Sequence, residues 1–147
     1  MLTSAGVRTV LFLAPPSREE LARYEGIAAV GLAGASRSQT PDQMRETLPQ
    51  ALQTLRDLAA PLVHYKVCST FDSAPTVGSI GCVVDLAANV FQSPFTPLLV
   101  AAPSLGRYCA FGNLFAAMGA GTDGEIYRLD RHPAMMHHPV TPADEAD

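Results

Sequence analysis

Between residues 65 and 81 the sequence changes from an apolar run to a cluster of polar side chains and then to a Gly-x-x-Gly turn. The cluster combines one cation, one carboxylate and several hydroxyls, namely Lys66, Ser69, Thr70, Asp72, Ser73 and Ser79. A lysine supplies a point charge for an anion, and hydroxyls both donate hydrogen bonds to sugar hydroxyls and accept from them. The cluster therefore predicts a binding site for a small anion that carries hydroxyl groups.

Two other loops carry an arginine beside a hydroxyl. Arg37 lies between Ser36 and Ser38 in one loop, and Arg107 follows Ser104 in the other. Arginine binds a carboxylate through two parallel hydrogen bonds, and Gly78 opens a predicted helix whose first N–H groups attract anions. Each feature alone has an ordinary explanation, because a loop arginine is usually solvated and a Gly-x-x-Gly turn also serves helix packing. Their combination favours an anion-binding site.

The three loops follow apolar runs that are typical of strands buried on both faces. These runs are short and nearly continuous, and they cover residues 7–14, 27–34, 61–68 and 97–103. The three polar loops follow the second, third and fourth runs. In open parallel sheets, ligands bind beyond the carboxyl ends of the strands. The sequence thus predicts that the three polar loops meet at one rim of a parallel sheet.

Helical segments with clear start signals separate the apolar runs. Ser17 precedes Glu20 at the spacing of a capping box, and Thr40 precedes Pro41 and Gln43 in the same way. Apolar residues recur at helical spacing after residue 41 and again after residue 80. The sequence therefore predicts helices that begin near residues 18, 41 and 80.

This alternation predicts an α/β fold, a three-layer doubly wound sheet that is mainly parallel. Residues 1–147 are expected to form a single α/β domain, with an irregular Pro/His-rich segment at about 130–147. With 48% apolar and 16% charged residues, the chain has the composition of one globular domain.

Charge and cysteine usage exclude several classes of protein. A net charge of −4 argues against nucleic acid or an anionic membrane as a partner. No apolar run near the start is long enough for a signal peptide or a membrane span, which predicts a cytoplasmic protein. Cys68, Cys82 and Cys109 lack metal-ligand spacing and are predicted to be buried thiols. His132, His137 and His138 are likewise predicted to be structural and not to bind a metal.

Three long segments resemble the four-carbon acid sugar kinases, in particular their amino-terminal, substrate-binding domain. They are HYKVCSTFDSAPTVGSIG, VAAPSLGRYCAFGNLFA and YRLDRHPAMMHHPVTPADEAD, which begin at residues 64, 100 and 127. The resemblance implies an ATP-dependent kinase that phosphorylates threonate, erythronate or a 3-oxo-tetronate. It also implies that ATP and Mg²⁺ are bound by a second domain and not by this chain alone. Together with the polar loops, it predicts these substrate-binding residues: Ser36, Arg37, Lys66, Ser69, Thr70, Asp72, Ser73, Gly78, Ser79 and Arg107.

The chain departs from the family pattern in two ways. Cys68 stands where many relatives have an aspartate, so Asp72 is the candidate for a catalytic carboxylate, and no other catalytic residue is predicted. The Asp-Asp-Phe/Leu-Thr-Gly start and the ATP-binding domain of the family are absent, so a truncated kinase, inactive alone, is expected.

In the family, the Asp-Asp-Phe/Leu-Thr-Gly motif ends an amino-terminal strand. A sheet that lacks this strand would keep an exposed apolar edge. Such an edge predicts self-association or association with the missing ATP-binding domain. The alternative function is a non-catalytic module, derived from the same domain, that binds small anions or serves an interaction.

Overall fold

The computed structural model describes residues 2–68, 71–119 and 122–136. Strand β1 (Thr9–Phe12) pairs in parallel with strand β2 (Ala29–Leu32). The crossover between them contains helix α1 (Arg18–Ala22). The predicted capping box starts this helix, because Ser17 and Glu20 each accept a hydrogen bond from the backbone N–H of the other. The chain therefore opens with a β-α-β unit.

Helices α2 (Pro41–Asp57) and α3 (Ile80–Phe91) pack side by side. Thr40 caps α2 as predicted, and Ser79 caps α3. The Cys82 thiol lies 3.8 Å from the Pro41 carbonyl at the helix starts, and an Arg56 guanidinium nitrogen lies 3.4 Å from the Val90 carbonyl near the ends. Because starts meet starts and ends meet ends, the two helices run in the same direction. None of the helices in the described segments is long and apolar enough to cross a bilayer.

A second sheet follows, formed by strands β3 (Arg107–Ala110), β4 (Asn113–Ala117) and β5 (Ile126–Arg128). The sheet is antiparallel, with β4 in the middle. The β3–β4 hairpin turns through Phe111 and Gly112, both with positive φ, at 53° and 75°. One face of β4 forms a small core with the segment before α3 and with the 3₁₀ turn after β5 (Leu129–Arg131). Its buried residues are Phe71, Leu114, Ala116 and Leu129.

The predicted α/β class is confirmed, but the arrangement of the sheet differs from the prediction. No strand forms at 61–68 or 97–103, so both predicted strands are wrong, and the antiparallel sheet was not predicted. An apolar run predicts burial and not pairing, and here even the burial is incomplete, because Leu62 and Leu99 are 80% and 82% exposed. The doubly wound arrangement is therefore not confirmed.

The predicted irregular segment at the carboxyl end is described only in its first part. Residues 132–136 form neither helix nor strand, and residues 137–147, which include His137 and His138, lie outside the described residues.

Candidate functional site

A cleft of about 260 Å³ lies where the 3₁₀ turn after β2 (Ser36–Ser38) meets the segment that precedes α3. Its walls combine two cations, one carboxylate and two hydroxyls with apolar and glycine surface. The lining residues are Gly34, Ser36, Arg37, Tyr65, Lys66, Val67, Cys68, Asp72, Gly78 and Ile80. Because the cations outnumber the carboxylate, the cleft is suited to a small anion.

Arg37 is anchored in this cleft by Asp72. Their side chains form an ion pair in which the arginine is 52% exposed and the aspartate only 2%. A second guanidinium nitrogen, Nη1, donates to the Cys68 thiol at 3.2 Å. A guanidinium carries five N–H donors, so Arg37 retains donors for a ligand beyond these two contacts. The arrangement presents a fixed, half-exposed arginine to the cleft.

Lys66 supplies the second positive charge. Its side chain is exposed and lines the cleft, and it makes no hydrogen bond or ion pair with any described residue. It is also the only lysine in the sequence. Its ammonium group can therefore turn towards a bound anion without breaking a contact seen here.

Two hydroxyls form a hydrogen bond in the wall of the cleft. Ser36 is buried, and its Oγ lies 2.6 Å from the Tyr65 hydroxyl. One hydroxyl donates to the other, so the pair keeps one O–H that is free to donate to a ligand oxygen. This contact joins the 3₁₀ turn to the segment that carries Lys66.

The polar groups at the start of α3 are already used within the protein. Ser73 Oγ accepts a hydrogen bond at 3.1 Å from the first N–H of α3, and Ser79 Oγ accepts one at 3.1 Å from the first turn. The Gly78 N–H donates to the Gln39 carbonyl at 2.8 Å. These three predicted substrate-binding residues therefore hold the helix start in place in this structure, although Gly78 also lines the cleft.

The structure brings only part of the predicted site together. Five predicted residues line the cleft, namely Ser36, Arg37, Lys66, Asp72 and Gly78. Arg107 does not line it. This residue begins β3, and its guanidinium donates to the carbonyls of Leu105 and Gly106 at 3.2 and 3.1 Å. Ser69 and Thr70 lie outside the described residues.

Sequence reasoning missed two polar lining residues, Tyr65 and Cys68. Tyr65 stands beside Lys66 at the end of an apolar run, and an amphipathic side chain at such a position is a signal that could have been used. The prediction of buried thiols is wrong in detail. Cys68 and Cys82 are half-buried, and Cys109 is exposed.

The described residues contain no cluster of ligands suited to Mg²⁺. Mg²⁺ prefers oxygen ligands, usually carboxylates. Asp72 is the one carboxylate among the residues that line the cleft, and it is buried against Arg37. No group of three His, Cys, Asp or Glu side chains within residues 2–68, 71–119 and 122–136 could hold a metal ion.

Comparison with known proteins assigns the chain to a family. The family model described as the sugar-binding N-terminal domain matches residues 1–147. The chain is 50% identical, over 99% of its length, to a 3-oxo-isoapionate kinase from Paraburkholderia graminis. It is 33% identical, over its whole length, to a 3-oxo-tetronate kinase from Pseudomonas fluorescens. It spans only 30% and 32% of the length of these two relatives.

A solved structure shares the fold. It is the crystal structure of a Haemophilus influenzae protein of the DUF1537 family, with a TM-score of 0.69 and 27% identity. The match covers 91% of this chain and 29% of that protein. The predicted resemblance to the substrate-binding domain of sugar-acid kinases is confirmed, and the chain belongs to the family of sugar-binding N-terminal domains.

Proposed function

We propose that this chain is the substrate-binding part of an ATP-dependent kinase that phosphorylates a small 3-oxo sugar acid of the tetronate or isoapionate type. The observation that carries the proposal is the cleft in which Arg37 and Lys66 lie together beside a pair of hydroxyls. The names of the two relatives, a 3-oxo-isoapionate kinase and a 3-oxo-tetronate kinase, support this substrate class. They favour a kinase over a module without catalytic activity.

Each part of the cleft has a role in binding such a molecule. Arg37 binds the substrate carboxylate through its remaining N–H donors, and Lys66 adds a second charge from the opposite chain segment. The hydroxyl pair of Ser36 and Tyr65 binds a hydroxyl or oxo group further along the substrate. Phosphoryl transfer depends mainly on positioning and charge neutralisation, so this domain contributes by fixing the acceptor.

The predictions on the remaining site residues, on the cofactors and on the cellular location belong to the same proposal. Ser69, Thr70 and Arg107 are proposed as further substrate contacts, whereas Ser73, Gly78 and Ser79 support the site through the start of α3. ATP and Mg²⁺ are proposed to bind elsewhere in the complete kinase, which is proposed to be cytoplasmic. The parallel pairing of β1 and β2 supports a doubly wound sheet in the complete domain.

The single lysine allows a direct test of this proposal. Reductive methylation with ¹³C-formaldehyde labels Lys66 and the terminal amine and keeps the positive charge. Threonate or erythronate is then titrated into the labelled chain, with threitol as the uncharged comparison, and the methyl signals are followed by NMR. We expect the Lys66 signal to shift saturably with the acids and not with threitol. An equal response to threitol contradicts the proposal.

A matched pair of variants locates the binding event. Arg37→Met removes the anchored cation and is expected to abolish the acid-dependent shift. Arg45→Met removes an exposed cation that pairs with Asp42 on α2, outside the cleft, and is expected to leave the shift unchanged. Loss of the shift in both variants would indicate a general charge effect instead of a site.

A further inference from the structure

Arg37 is held at two points, its guanidinium by Asp72 and its main chain by Gly78. We propose that Asp72 and Gly78 are positioning residues that fix Arg37 in the cleft before the substrate arrives. The inference rests on the proposed function only in that the ligand of Arg37 is taken to be the substrate carboxylate. It gives Asp72 a role through Arg37 in place of a role as catalytic base.

The first point of attachment is electrostatic. The Asp72 side chain is nearly fully buried and forms an ion pair with Arg37, whose own side chain remains half-exposed. A long, flexible arginine loses rotamer freedom when it binds a ligand, and a residue that is already ordered loses less. Because of the ion pair, Arg37 loses part of its side-chain entropy during folding and not when the ligand binds. A carboxylate that is buried against a guanidinium is also poorly placed to take a proton from a substrate hydroxyl.

The second point of attachment is steric. Gly78 has a φ of +61°, and a Cβ atom built on it would lie 2.5 Å from the Arg37 carbonyl oxygen and 3.3 Å from the carbonyl carbon. The Gly78 N–H also donates to the carbonyl of Gln39, just after the arginine turn. The main chain of Arg37 therefore rests directly on Gly78, and any side chain at residue 78 must displace it.

The chain offers a matched control for the strain that alanine suffers at positive φ. Gly6 has a φ of +79°, and a Cβ atom there would meet nothing within 4 Å. Both Gly78→Ala and Gly6→Ala place alanine in the left-handed region, but only Gly78→Ala creates the clash with Arg37. A difference between the two variants therefore reports the contact and not the backbone conformation.

The experiment reads the position of Arg37 directly. The Nε–H signal of Arg37 is observed in arginine-¹⁵N-labelled chain and assigned by its absence from Arg37→Lys. We expect this signal to shift or broaden in Gly78→Ala and to stay in place in Gly6→Ala. Threonate affinity, measured by calorimetry, is expected to fall by about tenfold or more in Gly78→Ala only, because a displaced cation no longer matches the carboxylate.

Asp72→Asn tests the other point of attachment and decides the matter if Gly78→Ala does not fold. It keeps the shape of the side chain and removes the charge, so the Arg37 signal is expected to move and threonate affinity to fall. An unchanged Arg37 signal in either folded variant overturns the role of that residue. If the unaltered chain does not bind threonate, the proposed function fails, whereas the Arg37 signal still decides the positioning inference.

Discussion

Lys66 and Asp72 lie close together in the sequence, yet their surroundings are opposite. Lys66 is exposed, lines the cleft and has no ion pair with a described residue, whereas Asp72 is buried and paired with Arg37. A charge without an ion pair contributes little to folding and is available to a ligand, whereas a buried pair is part of the folded structure. The two residues are therefore expected to respond differently to substitution.

For Lys66→Met we expect a loss of ligand affinity with little loss of stability. Removal of one cation near a carboxylate should weaken threonate binding by about fivefold to tenfold, which corresponds to roughly 1 kcal/mol. The free energy of unfolding should change by less than about 0.5 kcal/mol, because the side chain is exposed. Calorimetric titration and urea unfolding measure the two quantities. Unchanged affinity would exclude Lys66 from the site.

The types of the cleft residues could be predicted from the sequence, but their pairing could not. Cations and hydroxyls after apolar runs indicated an anion site, and Arg37 and Lys66 do line one cleft. The pairing of Arg37 with Asp72 joins residues that are far apart in the chain, and no local pattern encodes it. The prediction of Arg107 at the same rim depends on a parallel strand at 97–103, and that strand does not form.

At the level of elements, the helix starts were predictable because a cap is a local feature. Ser17 with Glu20 and Thr40 with Gln43 form the capping boxes that their spacing predicts. A strand exists only when another strand pairs with it, so an apolar run such as 61–68 does not determine a ladder. The antiparallel sheet was missed for the same reason, since its strands are only three to five residues long.

The capping box of α1 makes a small part of the stability dependent on pH. The Ser17 N–H donates to the Glu20 carboxylate and, with the Ser17 hydroxyl, lowers the pKa of Glu20 below its ordinary value of 4.5. A lowered folded pKa means that the stabilisation is complete above about pH 4.5 and is lost as the pH falls through the folded pKa.

Glu20→Gln keeps the capping hydrogen bond but does not titrate, so it serves as the reference. We expect the difference in free energy of unfolding between the unaltered chain and Glu20→Gln to be constant above pH 4.5 and to decline below it. Urea unfolding between pH 3 and pH 7 measures this difference. A difference that is independent of pH would mean that the carboxylate is not bound by the cap in solution.

Pro49 lies inside α2, where it interrupts the hydrogen-bonding pattern. Proline has no N–H, so the Arg45 carbonyl lacks its usual helical donor, and the proline ring crowds that turn. We expect Pro49→Ala to raise the free energy of unfolding by about 1–2 kcal/mol. Gln50→Ala, at an exposed neighbouring position, is the control and should change it by less than about 0.5 kcal/mol. A loss of stability in Pro49→Ala would contradict this prediction and would show that α2 needs the proline in order to pack on α3.

At the level of the whole molecule, several large apolar side chains on separate elements are exposed. They are Leu11, Leu13, Leu62, Phe95, Leu99 and Phe111. Scattered single residues of this kind are common, but this number on a short chain favours association with another surface. We expect the sedimentation coefficient to rise with protein concentration and the double variant Leu62→Gln, Leu99→Gln to reduce that rise. A single monomeric species at high concentration would contradict this prediction.

The shared direction of α2 and α3 has a consequence for how the chain folds. Two neighbouring helices that run the same way require a return segment of about 25 Å, the length of a 17-residue helix at 1.5 Å per residue. Residues 58–79 make that return, and they carry Tyr65, Lys66 and Asp72. The hydrogen bond from Gly78 to Gln39 closes a loop of about 40 residues, whose entropy must be lost before the helix starts can meet. The cleft therefore assembles only when this loop closes, together with the alignment of both helices.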